Sequence, residues 1–428
     1  MKQVLKCTAI LLAALLAGCT EETQNGGGDN KPDPGETDSG QRREVLLTLK
    51  NKLALKEVST KAGDPIATAE ENTISTLDLY VFAAADENGE YTFQERFAYR
   101  ADGSELPEGA SELELTPGKD DTQTTGLLNL KKGLFAKLYC IANQTALVDP
   151  AHENETLNDA AFVPLTFTKP GEQGTQVATL GQPTETAFLT FHTPLLNTAA
   201  KGDTLRTPLA MSGAYTTPID LTDFNSSARV QAGFKLTRLA ARFDIINKAE
   251  ESRFSIETVS MGNGRRGATL FPIRIYGKTP DAQPEELITY PFRAFYGDNA
   301  NTGTQTGAFY SYPSPLNDKG YMILKGKYQV NKTESKDVSY QIPFTQTDGN
   351  GNETSLEINN NHRYTIAITK ADDYHLDFTL TVADWADDGS IEYNPDEDDN
   401  ELLVTIPDAF KDDTEYDPDT RSVSMSLK

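Results

Sequence analysis

Residues 362–385 read "HRYTIAITKADDYHLDFTLTVADW". Two runs rich in Val, Ile, Thr, Tyr and Phe flank a polar "ADD". That composition marks strands rather than helices. The same kind of run recurs along the chain: "STLDLYVFA" (75–83), "LFAKLYCIAN" (134–143), "LTRLAARFDIIN" (236–247) and "GYMILKGKYQV" (320–330). Gly, Pro, Asn and Asp punctuate the runs, and helical periodicity is scarce. "QIPFTQTDGNGNETSLEIN" (341–359) reads as a hairpin with "DGNGN" at its tip. Short, evenly spaced strands predict an all-β chain of sandwiches rather than parallel α/β units. No fixed-period repeat is present, which argues against a solenoid. The length of 428 residues exceeds one sandwich. A boundary is expected near residue 228, where "TPIDLTDFNSSARVQAG" is polar and "FKLTRLAARFDIIN" looks like a new opening strand. The expected division is 44–228 and 229–428.

The N-terminus carries a different signal. "MKQVLKCTAILLAALLAGC" (1–19) has Lys2 and Lys6, then an apolar run from Cys7 to Ala17, then Gly18-Cys19. A bilayer-spanning helix needs about 20 apolar residues, so this run is too short and fits the apolar region of a secretory signal. "LLAGC" resembles a bacterial lipobox, which implies cleavage before Cys19 and diacylation of its sulfur. Residues 1–18 are then the signal peptide. Cys7 leaves with it, so Cys140 is the remaining free thiol and no intrachain disulfide forms. Residues 19–43 are rich in Gly, Pro, acid and amide and read as a flexible tether. Glu21-Glu22 resembles the acidic surface-export signal of Bacteroidetes lipoproteins. The formal charge is 39 − 64 = −25. Loss of Lys2 and Lys6 brings it to −27, a surface that repels nucleic acid and anionic lipid.

Catalytic chemistry has little support. His152, His192, His362 and His375 are the four histidines, and none stands in a metal-binding spacing. No phosphate-cradling glycine loop and no GxSxG elbow occur. With 64 acids, carboxylate pairs arise by chance, and nothing singles one out. Asp348–Glu353 begins like a calcium loop, but Glu353 occupies the required glycine position, and a hairpin turn is the better reading. Asn394–Glu401 reads as a solvated linker, with a hard cation as the other option. Trp385 is read as a core aromatic rather than a sugar-stacking platform, and Cys140 as a small buried side chain. No metal, no cofactor and no enzyme activity are expected.

Several landmarks follow one another in order: the lipobox, "ISTLDLYVFA", "AKLYCIANQT", "TPLAMSGAY", "KLTRLAARFDIIN", "GAFYSYPSP" and "NNHRYTIAITKADDYHLDFTLTVADW". Together they resemble the fimbrillin superfamily, the FimA/Mfa-like pilins and related lipoproteins of Bacteroidales. The resemblance implies two transthyretin-like β-sandwich domains in tandem and assembly into extracellular fimbriae that support adhesion. It implies partners: other fimbrial subunits, a trypsin-like processing protease, the outer membrane through the lipid, and a host or bacterial surface ligand. It also implies a mechanism. A cut after a basic residue releases the first strand of the N-terminal domain, and the C-terminal strand of another subunit fills the groove.

"EVLLTL" (44–49) supplies a first strand, with Val45, Leu47 and Leu49 alternating. Lys61 in "STKAGDP" sits where the resemblance places the cleavage residue, although arginine is usual there. Arg43 is the other basic candidate, but a cut after it leaves the strand attached. "SVSMSL" (422–427) has the same spacing in Val423, Met425 and Leu427, so it could fill the same groove or pair as an edge strand with its own domain. A stalk, tip or anchor subunit all fit, and a surface glycan-binding lipoprotein outside any pilus is the competing reading.

Overall fold

The computed structural model describes residues 41–50, 67–117, 123–152, 155–171, 174–197, 204–271, 287–297, 303–347, 353–384, 414–417 and 422–425. The opening strand, β1 (Arg42–Lys50), follows the alternation of its sequence. Val45, Leu47 and Leu49 are fully buried, Glu44 is exposed, and Leu46 and Thr48 are half-buried. The strands that build the first sandwich with it are β2 (Thr76–Ala84), β3 (Thr92–Arg100), β4 (Ala110–Glu112), β5 (Leu115–Pro117), β6 (Gln123–Lys131), β7 (Phe135–Ala142), β8 (Met211–Asp220), β9 (Val230–Lys235) and β10 (Thr237–Arg238). One sheet runs β9-β1-β6-β5 and the other β10-β8-β7-β2-β3-β4. Their facing sides enclose a core of Val45, Leu47, Leu49, Leu128, Leu130 and Phe234 against Leu77, Leu79, Leu138 and Cys140.

The second sandwich holds β11 (Ala241–Asn247), β12 (Phe254–Gly262), β13 (Arg293–Ala294), β14 (Gly303–Ser311), β15 (Tyr321–Gln329), β16 (Ser335–Pro343), β17 (Thr345–Thr347), β18 (Glu353–Ser355), β19 (His362–Ala371) and β20 (Leu376–Asp384). Its sheets run β14-β11-β19-β20 and β13-β12-β15-β16, and β17 pairs with β18. The stretch 362–385 thus gives β19 and β20, antiparallel from His362 opposite Asp384 to Ala371 opposite Leu376. Their turn is fixed by Asp372, whose Oδ1 accepts from the Tyr374 and His375 amides at 2.7 Å each. The expected hairpin in 341–359 is also formed, with Thr345 opposite Ser355 and Thr347 opposite Glu353. The longest α-helices among the described residues are the four-residue turns Glu185–Phe188 and Ala249–Ser252. The architecture is all-β.

The boundary expected at 228/229 falls too early. β9 and β10 lie beyond it, yet β9 pairs with β1 and β10 with β8 in the first sandwich. "FKLTRLAARFDIIN" therefore spans three strands, and only "ARFDIIN" opens the second sandwich. The polar stretch before it is a connection within the first sandwich, whose Ile219, Leu221 and Ala232 are buried. The tether bound also shifts, because Arg42 and Arg43 already belong to β1.

The two sandwiches share a core. The sheet containing β2 is buried on both faces: Leu77, Leu79 and Val81 point to the first core, while Tyr80 and Phe82 join the core of the second sandwich. Phe271 meets Tyr139 edge-on at 5.3 Å and lies tilted against Phe188 at 5.4 Å between ring centroids. This explains why "STLDLYVFA" is apolar almost throughout rather than alternating.

Candidate functional site

Two strands flank β1 in its sheet. β1 is antiparallel to β6 on one side and parallel to β9 on the other. Val45 lies between Leu128 and Val230, Leu47 between Gly126 and Ala232, and Leu49 between Thr124 and Phe234. The first strand in the sequence therefore sits inside the sheet, with both edges of its backbone paired. Burying three such side chains fully contributes roughly 1.5–3 kcal/mol each.

Polar contacts pin the N-terminal end of β1. Gln41 O accepts from the Lys132 amide at 2.9 Å. Arg42 Nη1 contacts Glu95 Oε2 at 2.8 Å, and Glu95 Oε1 accepts from the Lys131 amide at 3.1 Å. Arg43 donates to the carbonyls of Ala228 and Asp220, at 2.8 Å each. Glu44 pairs with Arg229 at 2.6 Å, with about half of both side chains exposed. Such an exposed pair contributes about 0–1 kcal/mol. Arg43 is thus held in a paired strand rather than presented in a tether, which disfavours it as a protease site.

The described chain resumes at Ala67. Glu71, in the 3-10 turn Glu70–Asn72, is fully buried. Its carboxylate meets Arg242 Nη1 at 2.8 Å and accepts from Tyr310 Oη at 2.7 Å and from the Thr68 amide at 2.7 Å. Arg242 also pairs with Asp244 at 2.9 Å, and Arg238 donates to the Glu71 carbonyl at 3.2 Å. Burial raises the Asp244 carboxyl above its ordinary value and brings Arg238 down to about 10. The Tyr310 hydroxyl is pushed up by burial and by Glu71. This cluster clamps the segment after 51–66 to the start of the second sandwich.

Beneath β1, Cys140 is fully buried and free of any disulfide. Burial, with the nearby Asp78 charge, pushes its thiol well above the ordinary value.

The tail forms its own hairpin: β21 (Thr414–Asp417) pairs with β22 (Ser422–Met425), Thr414 opposite Met425 and Tyr416 opposite Val423. The described part of the tail pairs with no strand of either sandwich. The structure therefore brings Val45, Leu47 and Leu49 together in one seat and places Val423 and Met425 in a separate hairpin. Cys19, Lys61, Trp385, Leu427 and residues 394–401 lie outside the described residues, as does most of the 348–353 loop. Among the described residues no cluster of three His, Cys, Asp or Glu side chains could hold a metal ion. Sequence reasoning missed β9 as the parallel neighbour of β1 and missed Glu71 altogether. The alternation of Val230, Ala232 and Phe234 was a signal for the first; a glutamate in "ATAEENT" carried none for the second.

The fold has relatives among solved structures. A fimbrial assembly protein from Parabacteroides distasonis is 14% identical, with 80% of this chain and 98% of that one covered at a TM-score of 0.43. The tip fimbrial protein Mfa3 from Porphyromonas gingivalis, with C-terminal truncation, is 13% identical over 80% of this chain and 100% of that one, at 0.41. The fimbrial anchor protein Mfa2 from Porphyromonas gingivalis is 10% identical over 80% and 98%, at 0.34. These three are structures of fimbrial proteins. No protein-family model matches the sequence. No curated protein matches it either.

Proposed function

We propose that this chain is a subunit of cell-surface fimbriae, exported as a lipoprotein on Cys19 and joined to its neighbours by strand exchange. In this reading a trypsin-like protease cuts within residues 51–66, with Lys61 as the basic residue. β1 then leaves its seat, and the tail of a second copy or of another subunit enters it with Val423, Met425 and Leu427 in place of Val45, Leu47 and Leu49. The lipid holds the precursor at the outer membrane until the cut, and the assembled fimbrium supports adhesion.

The observation that carries this reading is the construction of β1. It is paired on both edges, buried on one face and first in the chain, and it is separated by 51–66 from the next fixed point at Glu71. A single break in that segment turns an internal strand into a separate peptide and leaves the rest of the fold anchored. The tail supports the reading from the other side, because its spacing matches β1 and its described part is committed to nothing but its own hairpin.

The test is assembly by cut subunits, read as SDS-resistant ladders, comparing the full chain with one lacking residues 421–428. Ladders from the full chain and none from the shortened one are expected, with equal melting temperatures of the two uncut monomers. Unchanged ladders after the deletion, or a large loss of monomer stability, would overturn the donor role.

A further inference from the structure

β3 carries one residue more than its neighbour can match. Phe93 lies opposite Phe82 of β2 and Glu95 opposite Val81, so Gln94 between them has no counterpart. A bulge of this kind bends the strand and re-aims its side chains, and bulges collect beside binding sites. The outer edge of β3 is interrupted at the same place. After the bulge, β4 covers that edge from Arg96 to Ala98. Before the bulge, the Leu165 amide donates to the Phe93 carbonyl at 2.8 Å. Between these two neighbours lies a cleft of about 160 Å³. Glu108, Gly109 and Ser111 line it from the approach to β4, and Phe162 and Pro164 from the segment before Leu165.

Gln94 lines this cleft and is 1% exposed, yet neither its Oε1 nor its Nε2 has a hydrogen-bond partner among the described residues. Buried polar side chains of a native fold are nearly always paired, so an amide orphaned at both ends asks for a reason. Arg96 is held firmly beside it. Its Nη2 meets Asp78 at 3.1 Å, its Nη1 meets Asp159 at 3.0 Å, and its guanidinium lies 4.9 Å from the Tyr80 ring centroid. Its Nε is buried without a partner as well. Asp159 Oδ2 accepts from the Glu108 amide at 3.0 Å, which ties the two flanking segments together. Phe162 is half-buried and braced edge-on by Phe93 at 5.2 Å between ring centroids.

We propose that this cleft seats one neutral pyranose ring of a glycan. Size sets the first limit: a cavity of about 150 Å³ admits benzene, so this one takes a single six-membered ring. Charge sets the second. Arg42, Arg96 and Lys131 line the cleft against Glu95, Glu108 and Asp159, and three formal charges of each sign select no ion. Hydrogen bonding sets the third. The unpaired groups are an acceptor, Gln94 Oε1, and two donors, Gln94 Nε2 and Arg96 Nε. Neighbouring hydroxyls, each both donor and acceptor, satisfy such a set. The Phe162 ring offers the apolar wall on which the C–H face of a sugar rests, and an apolar wall with a few convergent polar groups is the usual make-up of a small-molecule site. The proposal goes beyond strand exchange and stands without it. Of the six charged lining residues only Arg42 belongs to β1, and Gln94, Arg96, Asp159 and Phe162 stay when β1 leaves.

Saturation-transfer NMR on the full, uncut chain tests this, with affinities from titration calorimetry. The probes are the methyl glycosides of glucose, galactose, mannose and fucose, with glucuronate as a charged comparison and N-acetylalanine methylamide as a peptide one. At least one neutral glycoside is expected to bind, and more tightly than the charged and peptide probes. Gln94→Met keeps the length of the side chain and removes its amide. It should weaken that binding at least tenfold without lowering the melting temperature, because no hydrogen bond within the protein is lost. Failure of every neutral glycoside to bind, or tighter binding of glucuronate or of the peptide probe, would overturn the assignment. So would an unchanged affinity in Gln94→Met, which would move the sugar elsewhere, or a lower melting temperature in that variant, which would give the amide to the fold. None of these outcomes touches strand exchange.

Discussion

At the scale of single residues, Cys140 reports on the seat of β1. It lies in the same core as Val45, Leu47 and Leu49 and has no exposed surface. Its thiol ionises well above the ordinary range because burial disfavours the thiolate, the form that reacts. The sign of the linkage follows: the raised folded value stabilises the fold below the unfolded thiol's pKa, and that contribution is lost as pH climbs towards the folded one. In the uncut chain, alkylation of Cys140 at pH 8 should be negligible by intact mass, and it should become rapid once β1 is gone. Equal rates in both states would contradict its place under β1. Glu71 is the other decisive residue. Glu71→Ala removes a fully buried carboxylate from Arg242 and should cost about 3–5 kcal/mol, measured by urea unfolding; a loss below 1 kcal/mol would remove the clamp. The burial of Cys140 was legible in the sequence because its neighbours are apolar. Glu71 was not, since its partners Arg242 and Tyr310 lie more than 170 residues away.

At the scale of elements, what distinguishes β1 from β11 is burial. Both sit inside a sheet with one parallel and one antiparallel neighbour. Six of the seven residues of β11 are buried, on both faces, and Arg242 and Asp244 tie it to the Glu71 cluster. β1 hides one face only, and its Glu44–Arg229 pair is solvent-exposed. Departure of β1 takes Arg42 from buried Glu95, which keeps the Lys131 amide, whereas loss of β11 would break the fully buried Arg242 pairs with Glu71 and Asp244. Leu47→Ala should therefore weaken the hold on β1, by about 2–5 kcal/mol for a fully buried leucine. After a cut within 51–66, the β1 fragment should leave the variant far faster in size-exclusion runs than it leaves the unmutated chain. Identical retention would mean that Leu47 does not hold the strand. The alternation of β1 and the strands of 362–385 could be read directly, because period two survives wherever one face is solvated. The partnership of β1 with β9 could not, because parallel pairing across about 185 residues leaves no local mark. For the same reason the boundary was placed before β9 instead of after β10.

At the scale of the whole molecule, the shared core makes the two sandwiches a single packed body from β2 onward, joined through Tyr139, Phe188 and Phe271. The two segments proposed to exchange are β1, before the clamp at Glu71, and the hairpin of β21 and β22, after β20. The measurement that tests exchange most directly is native mass spectrometry of the chain cut within 51–66, mixed with a synthetic peptide of residues 414–428. The expected result is one-for-one replacement, with the β1 fragment lost and one peptide gained on a body that stays folded. Retention of the β1 fragment at any peptide concentration, or its loss with no peptide bound, would contradict the assignment of β1 and the tail as alternative occupants of one seat.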